Sequence, residues 1–139
     1  AFLIRFSGAT QYYFHTDELV HSFIAHGASL KASLTDGLRE TQPPLGHVIR
    51  YYINLVSDNI LTSRLASIIF GVATVALAYV IGKKISNNSL YGPVLAALTA
   101  FAPISVIYTT SARNYSFFLF FIILYFYFQD IVLVIQQIF

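Results

Sequence analysis

An all-α, multi-pass membrane protein is the fold class this sequence predicts, on three observations. Hydrophobic residues make up 57% of the 139 residues and charged residues only 10%, with a mean hydropathy of +0.69. A soluble domain of this size could not hide that much apolar surface in one core. Uncharged apolar runs of about span length recur through the second half, since a hydrocarbon layer roughly 30 Å thick needs about 20 helical residues. The chain has no cysteine, which removes disulfides, thiolate metal sites and cysteine nucleophiles. The net charge of +2 comes from eight scattered Lys and Arg without a run, so no nucleic-acid partner is expected.

In chain order, residues 1–6 (AFLIRF) read as the end of a first membrane helix that begins upstream, and residues 7–63 as a loop outside the bilayer. That loop is not featureless. Leu19, Val20, Phe23, Ile24, Leu30 and Leu34 are interleaved with His21, Ser22, His26 and Lys31, an imperfect amphipathic pattern for a helix lying on the membrane. Asp17 and Glu18 stand at its N-terminus, where the helix dipole favours acids and where Thr16 or Asp17 can cap the first turn. A second amphipathic helix starts at Pro44, with Leu45, Val48, Ile49, Tyr52, Leu55 and Val56 on one face and His47, Arg50, Asn54 and Ser57 on the other. About 14 residues long, it suits an interfacial position better than a span.

Residues 64–139 hold three expected spans. Leu65 to Gly82 is uncharged and ends in Lys83-Lys84; Leu90 to Tyr108 returns after a short polar turn, with Pro103 placed to kink or end it; the third starts near Tyr115 and needs Ile131 to Ile135 to reach full length. Lys83-Lys84, the adjacent basic pair in a very short loop, assigns that loop to the cytoplasm. Residues 7–63 and 109–114 then share the outer face of a multi-pass protein of the cell (inner) membrane. That face also carries Lys31, Arg39, Arg50, Arg64 and Arg113, but the positive-inside rule discounts charges spread over so long a loop.

The segments HTDELVHSF, ETQPPLGHVIRYY, SRLASIIFGVATVALAYVIGKK and YTTSARNYSFFLFF follow one another in the order found in a known family. The chain resembles the N-terminal portion of membrane glycosyltransferases of the GT-C fold, in the branch of dolichyl-phosphate-mannose protein mannosyltransferases and bacterial aminoarabinose transferases. The resemblance implies sugar transfer from a polyprenyl-phosphate-linked donor to an acceptor at the outer membrane face. It implies Asp17 as the carboxylate that deprotonates the acceptor hydroxyl or holds a divalent metal ion, with Glu18 in support. Arg113 and Tyr115 would hold the donor phosphate, and Glu40 would serve the acceptor or the metal. Gln42 stands where the family often has histidine or lysine, and Ser111 where many members carry an acid.

Each residue also has a plainer role. The acid pair can be a helix cap, Arg113 a head-group anchor and Glu40 a solvated loop acid. His21 and His26 are five residues apart, not the four that place two ligands on one helical face, so a histidine metal site is not expected. The competing functional class is a non-catalytic multi-pass subunit of a larger membrane complex, for which an aromatic content of 17% would supply packing surface against other membrane subunits. A channel or transporter fits less well, because Leu65 to Gly82 offers only small hydroxyls.

Overall fold

The computed structural model describes residues 1–11, 16–39, 44–57, 59–85 and 88–138, with residues 130–138 described by backbone alone. The described residues form eight helices and no strand: α1 (Phe2–Gln11), α2 (Thr16–Ala25), α3 (Leu30–Arg39), α4 (Pro44–Val56), α5 (Ile60–Ile85), α6 (Tyr91–Phe101), α7 (Pro103–Thr110) and α8 (Tyr115–Ile138). The all-helical expectation therefore holds. Helix α1 runs to Gln11, beyond the expected end at residue 6.

Helix α5 is the axis of the molecule. Its 26 residues reach about 39 Å at 1.5 Å per residue, and among the described residues it is the single helix long and apolar enough to cross a membrane. Its buried positions are Arg64, Ser67, Ile68, Gly71, Thr74, Ala78 and Gly82, spaced three or four apart on one stripe. These are mostly small residues, which let neighbouring helices approach closely; the large side chains Ile69, Tyr79 and Val80 point outward. At Gly82 an added Cβ would lie 2.6 Å from the carbonyl oxygen of Tyr91 and 2.9 Å from Gly92 Cα, so the α5–α6 hairpin closes backbone against backbone there. Helices α1, α6, α7 and α8 all pack on α5. Phe70 of α5 anchors α8, with ring centroids 4.7 Å from Phe117 and 5.4 Å from Phe120 in edge-to-face arrangements.

The expected second span is broken. Helices α6 and α7 pass the test for a membrane span only together, and they are bent by 58° at Ala102. Pro103 is the cause: it has no N–H to donate to Thr99, and Ala102 leaves the helical region at φ −55°, ψ 121°. In α8 the apolar stretch Tyr115–Gln129 falls short of span length within the described side chains.

The outer-loop expectation of two amphipathic helices becomes three. The pattern read as continuous from Leu19 to Leu34 divides into α2 and α3, because the chain turns at His26 and Gly27, whose amide donates to the Ile24 carbonyl at 3.2 Å. Ser29 then opens α3, its hydroxyl accepting from the Ala32 amide at 3.2 Å. Helix α4 begins at Pro44, as the sequence predicts. Helices α2, α3 and α4 pack on one another, and α4 reaches the start of α5.

Candidate functional site

The end of α5 opposite Lys83-Lys84 collects α2, α4 and the turn 111–114. That turn exists because α7 stops at Ser111, which is extended at φ −94°, ψ 147°. The Arg113 amide donates to the Ser111 carbonyl at 2.8 Å, and the chain re-enters helix at Tyr115.

Glu18 and Arg64 are the buried foundation. Glu18 is 1% exposed, and Arg64 meets it with two parallel bonds, Nε to Oε1 at 3.2 Å and Nη2 to Oε2 at 2.7 Å. Arg64 Nη1 also donates to the Ala9 carbonyl at 2.6 Å, tying α1 to the pair. The Ala112 amide donates to Glu18 Oε1, and the Ala112 carbonyl accepts from Nη2 of buried Arg50. The two peptide groups flanking the Ala112 Cα are thus held one by an acid on α2 and the other by a base on α4. Gly46 makes room for this docking, because a side chain there would occupy the place of the Asn114 amide.

Asp17, one residue earlier, faces the other way. Its side chain is 53% exposed and accepts an ion pair from Arg113 Nη2 at 2.7 Å; the Arg113 side chain is 14% exposed. The guanidinium of Arg113 also lies 5.8 Å from the Tyr115 ring centroid, and Tyr115 packs edge-on against Tyr108 at 4.8 Å. The consecutive acids therefore divide their tasks: Glu18 points inward to the buried Arg64, and Asp17, half exposed, meets the largely covered Arg113 from the solvent side.

Behind them, His21 and His47 face each other with ring centroids 5.6 Å apart. His47 is fully buried where α3 offers Gly37, since a Cβ at that glycine would come within 2.5 Å of the imidazole. His21 is pushed down to about 4, first by burial, then by the positive charge of Arg50 and by His47 and Arg113, with Asp17 opposing. Arg50 is lowered to about 10 by burial, Glu18 acting against this and Arg113 with it, so it stays charged at neutral pH. Because the folded state holds the His21 proton more weakly than the unfolded chain, stability is complete above pH 6.5 and is lost as pH falls from there towards 4. Thermal midpoints measured across that window should drop for the parent and drop less for His21→Leu.

The structure thus brings Asp17, Glu18, Arg113 and Tyr115 to one end of the bundle. Glu40 lies outside the described residues. Among the described residues, no group of three or more His, Asp or Glu is arranged to hold a metal ion. Comparison with protein-family models, with curated proteins and with solved structures finds no match to this chain. Sequence reasoning placed Arg50 on the polar face of the helix from Pro44 and Arg64 among the outer-face charges, and gave neither a partner. Their signal was indirect: an acid in so apolar a chain calls for a cation, and these two lie in segments expected on the same face as Glu18.

Proposed function

We propose that this chain is a multi-pass membrane glycosyltransferase of the GT-C kind, or the N-terminal portion of one. In this reading it transfers a sugar from a polyprenyl-phosphate-linked donor to an acceptor at the outer face of the cell membrane. The observation that carries the reading is the half-exposed Asp17 carboxylate held 2.7 Å from Arg113, above a buried Glu18–Arg64 pair that fixes both supporting segments. Large apolar side chains turned outward on α5 to α8, among them Val94, Leu98, Phe101, Ile104, Phe118 and Tyr125, support a bilayer around this bundle. Lys83 and Lys84 at the other end of α5 support a cytoplasmic assignment for that end.

The chemistry asks for a base and a cation side by side. The acceptor oxygen attacks the anomeric carbon, the bond from that carbon to the phosphate oxygen breaks, and the polyprenyl phosphate leaves. Asp17 takes the proton from the acceptor hydroxyl. Arg113 neutralises the charge that grows on the departing phosphate. Tyr115, stacked near that guanidinium, keeps it in place and offers a hydroxyl. Glu18 supports Asp17 through the backbone rather than by touching the reactants.

The test is release of polyprenyl phosphate from a polyprenyl-phosphate-linked sugar by vesicles containing the full chain. Release requires an acceptor hydroxyl, so a total membrane extract is added as its source and the acceptor itself need not be identified. Arg113→Ala should raise the donor concentration needed for half-maximal release by about 10- to 100-fold, the worth of a charge-assisted contact to phosphate. An unchanged donor requirement would leave Arg113 as a head-group anchor. The outward aromatic residues Phe101, Tyr125 and Phe126 equally suit contact with other membrane subunits. No release by the parent chain, together with its recovery in a stable complex, would favour that non-catalytic reading.

A further inference from the structure

Arg5 has no place in the chemistry above, yet it is 0% exposed and every N–H of its guanidinium is used. Nε donates to Thr109 Oγ1 at 2.8 Å; Nη1 donates to the carbonyls of Ala100 at 3.1 Å and Ala1 at 3.3 Å; Nη2 donates to the Thr99 carbonyl at 3.3 Å and to Ser105 Oγ at 3.1 Å. No carboxylate is among these partners, and four of the five lie on the two sides of the α6–α7 break.

The break explains the arginine. The last helical bond of α6 runs from the Ala102 amide to the Leu98 carbonyl at 2.9 Å, and Pro103 has no N–H for the Thr99 carbonyl. The end of α6 therefore gathers bare carbonyls and the negative end of its helix dipole, which a cation stabilises. Gly71 of α5 makes space for it, since a Cβ there would lie 2.7 Å from Thr109 Cβ and 3.2 Å from Arg5 Nε. Gly71 stands near the middle of α5, so the charge sits halfway along a helix long and apolar enough to cross a membrane. An apolar residue would be far cheaper at that depth unless the guanidinium had work to do.

We infer that Arg5 is a positioning residue: a tethered cation that sets the bend of the α6–α7 pair and thereby the seat of the 111–114 turn against Asp17 and Glu18. The path is short, because Thr109, held by Arg5, is three residues before Ala112, held by Glu18 and Arg50. The inference builds on the proposed site, but its test reads geometry and not sugar transfer, so either can fail without the other.

The cysteine-free chain allows a clean reporter, Gly46→Cys with Asn114→Cys, whose side chains meet where the turn docks on α4. Disulfide formation under mild oxidation is followed with Arg5 intact, in Arg5→Ala, in Arg5→Lys and in Arg5→Ala with added guanidinium chloride at low, non-denaturing concentration. Helix content by circular dichroism is checked for each. Arg5→Ala should form the disulfide roughly tenfold more slowly or worse, because the effective concentration of two groups depends steeply on their placement. Guanidinium should restore the rate, whereas Arg5→Lys, with three donors for five bonds, should not. Thr109→Val removes a single acceptor at constant shape and covers the case in which Arg5→Ala fails to fold; it should slow the reaction several-fold. Parent rates in Arg5→Ala, or in Thr109→Val if Arg5→Ala does not fold, would overturn the inference. So would an Arg5→Ala defect that Arg5→Lys repairs and guanidinium does not.

Discussion

Glu18→Ala should destabilise the protein by about 3–5 kcal/mol, the cost of leaving a buried cation without its counter-ion. Arg64 would keep only part of its bonding, and its side chain, 6% exposed, has little access to water. The Ala112 amide would lose its acceptor in the same step, so the 111–114 turn should loosen as well. Thermal midpoints in detergent read the first effect, and the thiol pair at Gly46 and Asn114 reads the second. The double variant Glu18→Leu with Arg64→Met should recover part of the loss, because two apolar side chains leave no unpaired charge. Additive losses in the double variant would show that the pair is not coupled as its 2.7 Å contact requires.

Asp17→Asn is expected to separate activity from stability. Its carboxylate is half exposed, and asparagine still offers the mostly buried Arg113 an oxygen to donate to, so the midpoint should move by no more than about 1 kcal/mol equivalent, the upper end for a solvent-accessible pair. Sugar transfer should fall by roughly 10²- to 10⁴-fold, the usual worth of a general base. The asparagine keeps the size and a hydrogen bond to Arg113 while losing the proton acceptor. The contrast with Glu18→Ala follows from adjacent residues facing opposite ways on α2.

Much of this arrangement could be read from the chain, and the reasons differ by residue. The apolar run from Leu65 to Gly82 lies inside α5, Pro44 starts α4 and Pro103 breaks the next apolar run, because proline and unbroken apolar stretches act locally. The division of Leu19 to Leu34 into α2 and α3 was harder, since Gly27 is one turn residue inside a pattern that otherwise continues. The partner of Glu18 was not legible: Arg64 is 46 residues away, and no local periodicity encodes that pairing. The same holds for Arg5, whose carbonyl partners at Thr99 and Ala100 become bare only when Pro103 is seen to end a helix within reach of its guanidinium. His21 and His47 read as interfacial polar residues because each marks the polar face of its own helix. Those faces meet each other and Gly37 instead of water.

The most direct measurement sets the parent beside Asp17→Asn in vesicles supplied with a polyprenyl-phosphate-linked sugar and a total membrane extract as acceptor source, with matched thermal midpoints confirming that both are folded. Release of polyprenyl phosphate by the parent, lost in Asp17→Asn, is the expected result. Equal release by the two chains, or none by an intact parent, would contradict Asp17 and Arg113 as the centre of a sugar-transfer site.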